Sequence, residues 1–254
     1  MNVLIAMYGL YVTSFLAFYR SGIYSLGSTY LYILLVVPAF ILALIAQIRV
    51  KSVYSKYCKV FSRSGYTGQS AAFELLRRNG VTDVSIGQVA GTLSDHFNPR
   101  TNVINLSEGI FNSNSVAAIG IACHEAGHAL QHAQGYKALS VRDALVPVCN
   151  IGSYLGIPLA FVGYWLGFDT LIIIGLALYS LIALFQLVTL PVEFNASRRA
   201  LELIDDYGLL SDDERAGARK VLSAAAMTYV ASLAVTLGNL LRFIVLFLGG
   251  RRKN

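Results

Sequence analysis

The sequence predicts a mainly α-helical membrane protein that contains a small β-hairpin or sheet. The 254-residue chain is 56% hydrophobic and only 13% charged, which is too apolar for an ordinary soluble domain. Several apolar runs reach the length of about 20 residues that a helix needs to cross a bilayer. A polar stretch between them alternates short strand-like runs with turn residues. We therefore predict about four to five transmembrane helices joined to a small water-facing region.

The clearest predicted spans are residues 30–48, 152–168 and 171–190. Residues 1–19 are also apolar, and we interpret residues 1–29 as an uncleaved membrane anchor with a short loop. A signal peptide would carry a basic leader and a small-residue cleavage site, and neither is convincing here.

Two interpretations stay open for residues 224–248, because Asn239 and Arg242 interrupt this apolar run. The segment either crosses the bilayer or lies against the membrane or the other helices. The capping-box pair Ser211 and Glu214 predicts where the helix leading into it begins.

The apolar runs divide the chain into predicted parts. They are a transmembrane helix at 30–48, a water-facing region at 49–148, a transmembrane helical hairpin at 149–192, and a last part at 193–254. Basic residues without acidic neighbours follow the first of these helices, which is typical of a cytoplasmic segment: Arg49, Lys51, Lys56, Lys59 and Arg63. The three cysteines lack the spacing of a disulfide framework, which also favours a reducing compartment.

The net charge of +6 does not indicate nucleic-acid binding, because its placement follows the membrane and no nucleic-acid or nucleotide motif is present. We expect the basic segment to contact the lipid bilayer instead. Oligomeric state is left open by the sequence.

Residues 49–148 are predicted to fold as a helix, a small sheet and a second helix. The predicted elements are a helix at 68–79 closed by Gly80, a strand at 84–89, a hairpin of 93–97 with 103–106, and a helix from the capping residues 112–115 to about 135. Residues 103–106 have two interpretations: an edge strand on which an extended peptide adds, or a core strand.

The second helix carries His124-Glu125-Ala126-Gly127-His128, an HExxH pattern. Residues i and i+4 share one helix face, so His124 and His128 can bind one ion. Glu125 lies beside them, where it can take a proton from a water that the ion activates. The alternative is a polar turn on a buried helix.

A catalytic zinc usually takes three protein ligands and keeps one open position. His132 lies about 12 Å along the helix from His124, too far to share an ion, so we interpret it as a supporting or surface residue. Glu193 is the better third ligand. The two spans of the hairpin return the chain to its starting side, which places Glu193 in the same compartment as His128. The alternative for Glu193 is a solvated carboxylate at a helix end.

The segments HEAGHALQH, DHFNPRTNVINLSEGIF and LPVEFNASRRA are similar to the YugP-like family of neutral zinc metallopeptidases from bacterial membranes. The resemblance covers about residue 30 to the C-terminus. The layout also resembles the HtpX-like membrane peptidases, in which a glutamate from a second helix completes a gluzincin site. Those enzymes continue Glu-x-x-Ala-Asp, whereas this chain has Ser197 at the last position. The resemblance implies a zincin-like core and one Zn²⁺ per chain, held by His124, His128 and Glu193.

The implied reaction is amide hydrolysis with Glu125 as the general base and acid. The developing oxyanion needs a further donor, for which His96, Arg198 and Arg199 are candidates. His96 stands beside a turn and has the alternative of a plain surface residue. Side chains that orient the ligands are expected among Asn195, Ser197, Asn150 and Arg199.

We therefore predict a membrane-embedded zinc endopeptidase at the cytoplasmic face of a bacterial plasma membrane. Its partners would be the bilayer and peptide or protein substrates, namely membrane-associated or misfolded proteins. Two other classes compete with this prediction. A zinc-binding scaffold would keep the site without catalysis, and an ion or proton relay would need ionisable residues spread through several spans, which the apolar runs nearly lack.

Overall fold

The computed structural model describes residues 30 and 32–249, so the predicted anchor and loop at 1–29 lie outside the described residues. The described chain is mainly helical, with one three-stranded sheet. The helices are α1 (Val37–Tyr57), α2 (Gly68–Arg78), α3 (Glu108–Phe111), α4 (Val116–Ala133), α5 (Lys137–Leu166), α6 (Asp169–Asp206) and α7 (Asp212–Ile244). The strands are β1 (Ser85–Val89), β2 (His96–Asn98) and β3 (Val103–Ser107). π-Helical turns precede α1 at Tyr32–Val36 and follow α7 at Val245–Gly249.

Four helices of the described chain are long and apolar enough to cross a membrane: Tyr32–Tyr57, Lys137–Leu166, Asp169–Asp206 and Asp212–Phe247. Together with the small sheet, they confirm the predicted mainly helical fold class with about four candidate membrane spans. Helix α7 continues through residues 224–244 without a break. Asn239 and Arg242, which interrupt the apolar run in the sequence, are both buried within the helix bundle.

The helices extend well beyond the apolar runs that predicted them. Helix α5 begins at Lys137, far ahead of residue 152, and α6 continues through Pro191 and Glu193 to Asp206. Apolar runs mark only the part of a helix that suits lipid, whereas helix formers such as Ala, Arg and Glu extend it into water. The predicted division at residue 193 therefore falls inside a continuous helix.

The sheet has the order β1-β3-β2, with β1 parallel and β2 antiparallel to β3. Ile104 of β3 pairs with Ile86 of β1 and Phe97 of β2. Ile104 and Leu106 are fully buried. The edge-strand interpretation of residues 103–106 is therefore wrong. Because the parallel strand β1 occupies the other side of β3, residues 103–106 form the central strand, and β2 is an edge.

Helices α5 and α6 pack closely because glycines occupy their crossing. A Cβ atom on Gly175 would lie 2.5 Å from the backbone oxygen of Gly156 and from the nitrogen of Ala160. Small residues of this kind let helix backbones approach each other inside a bilayer. The pair forms a second core with the end of α7, separate from the core around α4.

The start of α7 is hydrogen-bonded to the segment that follows α1. The predicted capping box is present, because Ser211 and Glu214 exchange their hydrogen bonds. Glu214 also accepts a hydrogen bond from the backbone N–H of Arg63, at 2.9 Å. Helices α4, α6 and α7 thus meet on one side of the bundle, where the predicted ligands lie.

Candidate metal centre

Helix α4 presents the HExxH residues from inside the protein core. Ser115 caps the helix by accepting a hydrogen bond from the N–H of Ala118, and almost every residue from Val116 to Gln131 is buried. An apolar helix that is buried all round is fixed by tertiary packing more than by propensity. The polar side chains of its third and fourth turns are therefore largely shielded from solvent.

His124, His128 and Glu193 lie together, with one ligand atom from each within 4.8 Å of the other two. The distance from Glu193 Oε2 to His124 Nε2 is 3.4 Å, and that from Oε1 to His128 Nε2 is 3.7 Å. Ligand atoms at about 2.1 Å from a tetrahedral zinc stand about 3.4 Å apart. The donor set of two imidazoles and one carboxylate therefore fits zinc in both chemistry and spacing.

The approach of α4 to α6 depends on Gly127. A Cβ atom at this position would lie 2.8 Å from the backbone oxygen of Ala196. Gly127 sits between the two histidines in sequence, and Ala196 lies within one helical turn of Glu193. The missing side chain thus lets two helix backbones come close enough for both to supply ligands to one ion.

Gly127→Ala is expected to weaken zinc binding and to lower the free energy of unfolding by about 1–3 kcal/mol, because the added methyl forces the two backbones apart. Thermal unfolding and zinc content of the purified variant test this. Gly109→Ala is the matched control, since its Cβ would meet its nearest neighbour at an ordinary 3.7 Å. Equal stability of the two variants would contradict the close-approach role of Gly127.

Both imidazoles are oriented through their Nδ1 atoms. His128 Nδ1 lies 3.0 Å from the Gln131 side-chain oxygen, and His124 Nδ1 lies 3.1 Å from the Ser197 hydroxyl. Because Gln131 Oε1 can only accept, His128 carries its proton on Nδ1 and leaves Nε2 for a metal. The predicted supporting residue Ser197 therefore lies against a predicted ligand.

Gln131 connects α4 to the backbone and side chains of α6. Its amide donates to the carbonyl of Val192 and to Asn195 Oδ1, both at 2.9 Å. Arg199 donates to the same Asn195 oxygen at 2.8 Å. Within the described part of the chain, Asn195 and Arg199 are thus connected to the ligand His128 through Gln131. Sequence reasoning missed Gln131, although its position three residues after His128 places it on the same helix face.

Gln131→Leu is expected to weaken zinc binding about 10–100-fold, as loss of a group that orients a ligand usually does. Leucine keeps the volume but removes the acceptor for His128 and two donors to α6. A competition titration with a chromogenic chelator measures the effect. Gln134→Leu, one turn further along and bonded to Arg199 rather than to a ligand, serves as the control. Unchanged zinc affinity for Gln131→Leu would show that His128 needs no such support.

Glu125 is buried beside the ligands and has a backbone partner in the sheet. Its Oε2 accepts the N–H of Phe97 at 3.0 Å. Phe97 belongs to the edge strand β2, so the sheet reaches the site through this strand. The contact fixes one carboxylate oxygen of Glu125 and orients the other.

The site carries an excess of negative charge. Burial disfavours the imidazolium of His128, but the Glu193 carboxylate outweighs burial and raises the pKa of His128. Among the described residues, the positive charge of Arg142 acts on His128, but its guanidinium pairs with Asp143. A bound dication would supply the missing charge.

The other residues predicted from the sequence lie away from the cluster. The exposed His96 has Nδ1 2.8 Å from the Ser94 carbonyl and Nε2 3.3 Å from the Asn105 amide, and no hydrogen bond among the described residues joins it to the ligand cluster. Arg198 is exposed and faces Glu202. His132 is exposed and packs on Phe97, and Asn150 is exposed on α5.

Tyr229 of α7 is a site residue that the sequence did not indicate. Its side chain lies close enough to the Glu193 carboxylate to interact with it electrostatically. The residue stands in the apolar stretch whose placement the sequence left open, and neither motif nor spacing relates it to the HExxH pattern. Only the packing of α7 against α6 reveals it.

The described chain thus combines four helices that are long and apolar enough to cross a membrane with a cluster of two histidines and one glutamate that could hold a metal ion. Residues 32–248 match the model of the family described as "Putative neutral zinc metallopeptidase", and the chain belongs to that family. It is 47% identical over 225 residues to the "Putative membrane protease YugP" of Bacillus subtilis (strain 168), covering 88% of this chain and 100% of the relative. No solved structure matches the chain. The predicted resemblance to the YugP-like family is confirmed.

Proposed function

We propose that this protein is a membrane-embedded zinc endopeptidase of the gluzincin type, with one zinc per chain. The proposal rests on one observation. His124, His128 and Glu193 lie close enough to share one ion, and the buried carboxylate of Glu125 follows the ligand His124 directly in the sequence. A structural zinc site has four protein ligands, whereas three ligands with an open position are typical of catalysis. The name of the Bacillus relative, a membrane protease, supports the same class.

Zinc, when bound, would activate a water molecule and polarise the scissile carbonyl. Glu125 would take the proton from the attacking water and return it to the leaving amine. Its Oε2 already accepts the Phe97 N–H, so we assign the proton to Oε1. Gln131 and Ser197 would hold the two imidazoles with Nε2 facing the ion.

We propose membrane-associated or misfolded proteins as substrates, cleaved at the membrane surface. The metal-binding part of α6 continues directly from its apolar part, which brings the site to the end of a span. The edge strand β2 lies beside the base Glu125, and an extended substrate segment would run along it. In this proposal, residues 49–148 form a zincin-like core that the spans complete.

Hydrolysis of an unfolded protein tests the enzyme class. Purified protein in detergent, loaded with zinc, is expected to degrade unfolded casein; a chelator should stop the reaction, and added zinc should restore it. Degradation that continues after complete metal removal would exclude the proposed chemistry. A zinc-loaded protein that leaves casein and membrane-protein substrates intact would favour the scaffold class.

We place the site at the cytoplasmic face because basic residues occupy the second half of α1 and the segment after it, and Val53, Tyr54 and Tyr57 of this half pack against the core around α4. Single cysteines in a background without native cysteines test this orientation. Thr92→Cys, near β2, should react with a membrane-impermeant maleimide only after spheroplasts are opened. Phe168→Cys, in the exposed turn between α5 and α6, should react in intact spheroplasts. The reverse pattern would place the site outside the cell.

A further inference from the structure

A groove lies between the polar end of α6 and the first turns of α7. Its volume is about 480 Å³, within the range of about 300–1,000 Å³ that small-ligand sites occupy. Residues spaced three or four apart between 194 and 205 form one wall, and every fourth residue from 215 to 223 forms the other. Ser197 belongs to the first wall, and its Oγ lies 3.1 Å from His124 Nδ1. The α6–α7 groove is therefore directly beside the metal cluster.

Two arginines of the α6–α7 groove are available to an anion. Arg215 is neutralised by acidic neighbours. Arg198 faces Glu202 at 3.9 Å, and an exposed pair at this distance holds its partners weakly. Arg219 is exposed and has no ion-pair partner among the described residues. A negatively charged group in the groove would therefore meet the guanidinium groups of Arg198 and Arg219.

The groove begins where the apolar parts of both helices end. Phe194 stands four residues beyond the apolar run 171–190, and Ser223 directly precedes the apolar run 224–248. Because apolar runs of this length match the hydrocarbon core of a bilayer, the groove lies at the level of the lipid headgroups. Guanidinium groups suit the phosphates found at this level, since their planar forks match phosphate oxygens.

Exposed apolar side chains continue the α6–α7 groove toward the membrane. On α6, Leu187 lies two turns before Phe194 on the same helix face, and both are about half exposed. On α7, Met227 lies one turn after Ser223 and is also exposed. A lipid with its headgroup in the groove would place its acyl chains against these side chains. A soluble anion would leave them uncovered.

We propose that the α6–α7 groove binds the phosphate headgroup of an anionic phospholipid. Arg198 and Arg219 would contact the phosphate, and the exposed apolar side chains below would contact the acyl chains. Basic pockets between membrane helices are typical sites for anionic headgroups. The bound lipid would hold the metal cluster, on the other side of Ser197, at the surface of the bilayer.

Native mass spectrometry of the whole chain in detergent, with phosphatidylglycerol added stepwise, measures the binding. Arg219→Gln is expected to bind this lipid about fivefold more weakly than the wild type, because one basic residue near a membrane surface contributes about that factor. Lys220→Gln is the matched control and should keep the wild-type affinity. Lys220 is the exposed neighbour of Arg219 but does not line the groove. Equal losses in the two variants would overturn the proposal, since they would indicate a diffuse attraction to basic surface.

Ser223→Trp tests the place of the lipid without removing a charge. Ser223 is exposed and lines the groove, so the indole would fill the space of the headgroup while Arg198 and Arg219 remain. The variant is expected to lose at least as much affinity for phosphatidylglycerol as Arg219→Gln, with thermal unfolding like that of the wild type. A folded variant that binds the lipid as the wild type does would contradict binding in the groove.

Competing ligands identify the source of the anion. Phosphatidylcholine, glycerol 3-phosphate and hexaglutamate should each fail to displace phosphatidylglycerol at equal concentration, because each lacks either the net charge or the acyl chains. Displacement by glycerol 3-phosphate would make the groove a site for a soluble phosphate, and displacement by hexaglutamate would make it a site for an acidic peptide. Either result, or equal binding of phosphatidylcholine, would overturn the proposal. The measurement uses neither zinc nor substrate, so its outcome is independent of the peptidase function.

Discussion

Glu125→Gln is expected to lose at least about 10²–10⁴-fold in kcat while still binding one zinc per chain, because general acid–base catalysis contributes about that much. Glutamine has nearly the same shape, and its side-chain oxygen can still accept the Phe97 N–H that Glu125 accepts at 3.0 Å. It cannot take a proton from water. Steady-state hydrolysis of casein and zinc content of the same preparation measure the two quantities.

Glu202→Gln is the control for this substitution, since Glu202 is exposed on α6 and pairs only with Arg198 among the charged groups described. It should keep wild-type turnover. A Glu125→Gln protein that loses zinc would show that Glu125 is needed for the fold or for metal binding. One that keeps its cellular function would support the zinc-binding scaffold in place of the peptidase.

Glu193→Ala and His128→Ala are each expected to weaken zinc binding by about 3 kcal/mol or more, about a hundredfold. Zinc sites with four ligands bind the ion with a free energy of about 10–16 kcal/mol, so each ligand contributes about a quarter of that free energy. Elemental analysis after gel filtration in detergent should find about one zinc per chain in the wild type and far less in both variants.

Glu202→Ala provides the comparison on the same helix as Glu193. Its carboxylate is exposed, whereas that of Glu193 is buried against both histidines. Full zinc retention in Glu193→Ala would mean that another group completes the site, although the enzyme class would survive. Full retention in His128→Ala would remove the metal site described here.

The ligand cluster is the part of the site that the sequence predicts best. A spacing of four residues on a helix brings His124 and His128 together whatever the tertiary structure. The prediction of Glu193 needed a further inference, namely that the hairpin of two spans returns the chain to the side of the membrane on which His128 lies. The structure brings these three residues together, and their role as zinc ligands stays a prediction that the titrations above test.

The supporting residues could not be predicted in the same way, because they depend on how helices pack. Gln131 orients His128 only because α6 lies near enough to receive its amide protons. Tyr229 lies near Glu193 because α7 packs against α6. The arginines proposed as oxyanion donors stand on the same helix as Glu193, but Arg198 turns to the surface and Arg199 turns toward Asn195 and Gln134.

The order of the strands in the sheet could not be predicted from the sequence either. The run at residues 103–106 indicates a strand, but both of its neighbours, β1 and β2, come before it in the sequence. Because β1 joins in parallel, no local turn signals that pairing. The apolar runs likewise predict spans but not helix ends, since α5 and α6 extend beyond those runs.

Stepwise zinc loading of metal-free protein tests the central claim most directly, with bound zinc and casein hydrolysis followed in the same sample. We predict that both rise together and saturate at one zinc per chain. Glu125→Gln should bind zinc along the same curve without hydrolysis. Hydrolysis in the absence of zinc, or a fully loaded wild-type protein with no activity on any unfolded or membrane-protein substrate, would contradict a zinc peptidase built on His124, His128 and Glu193.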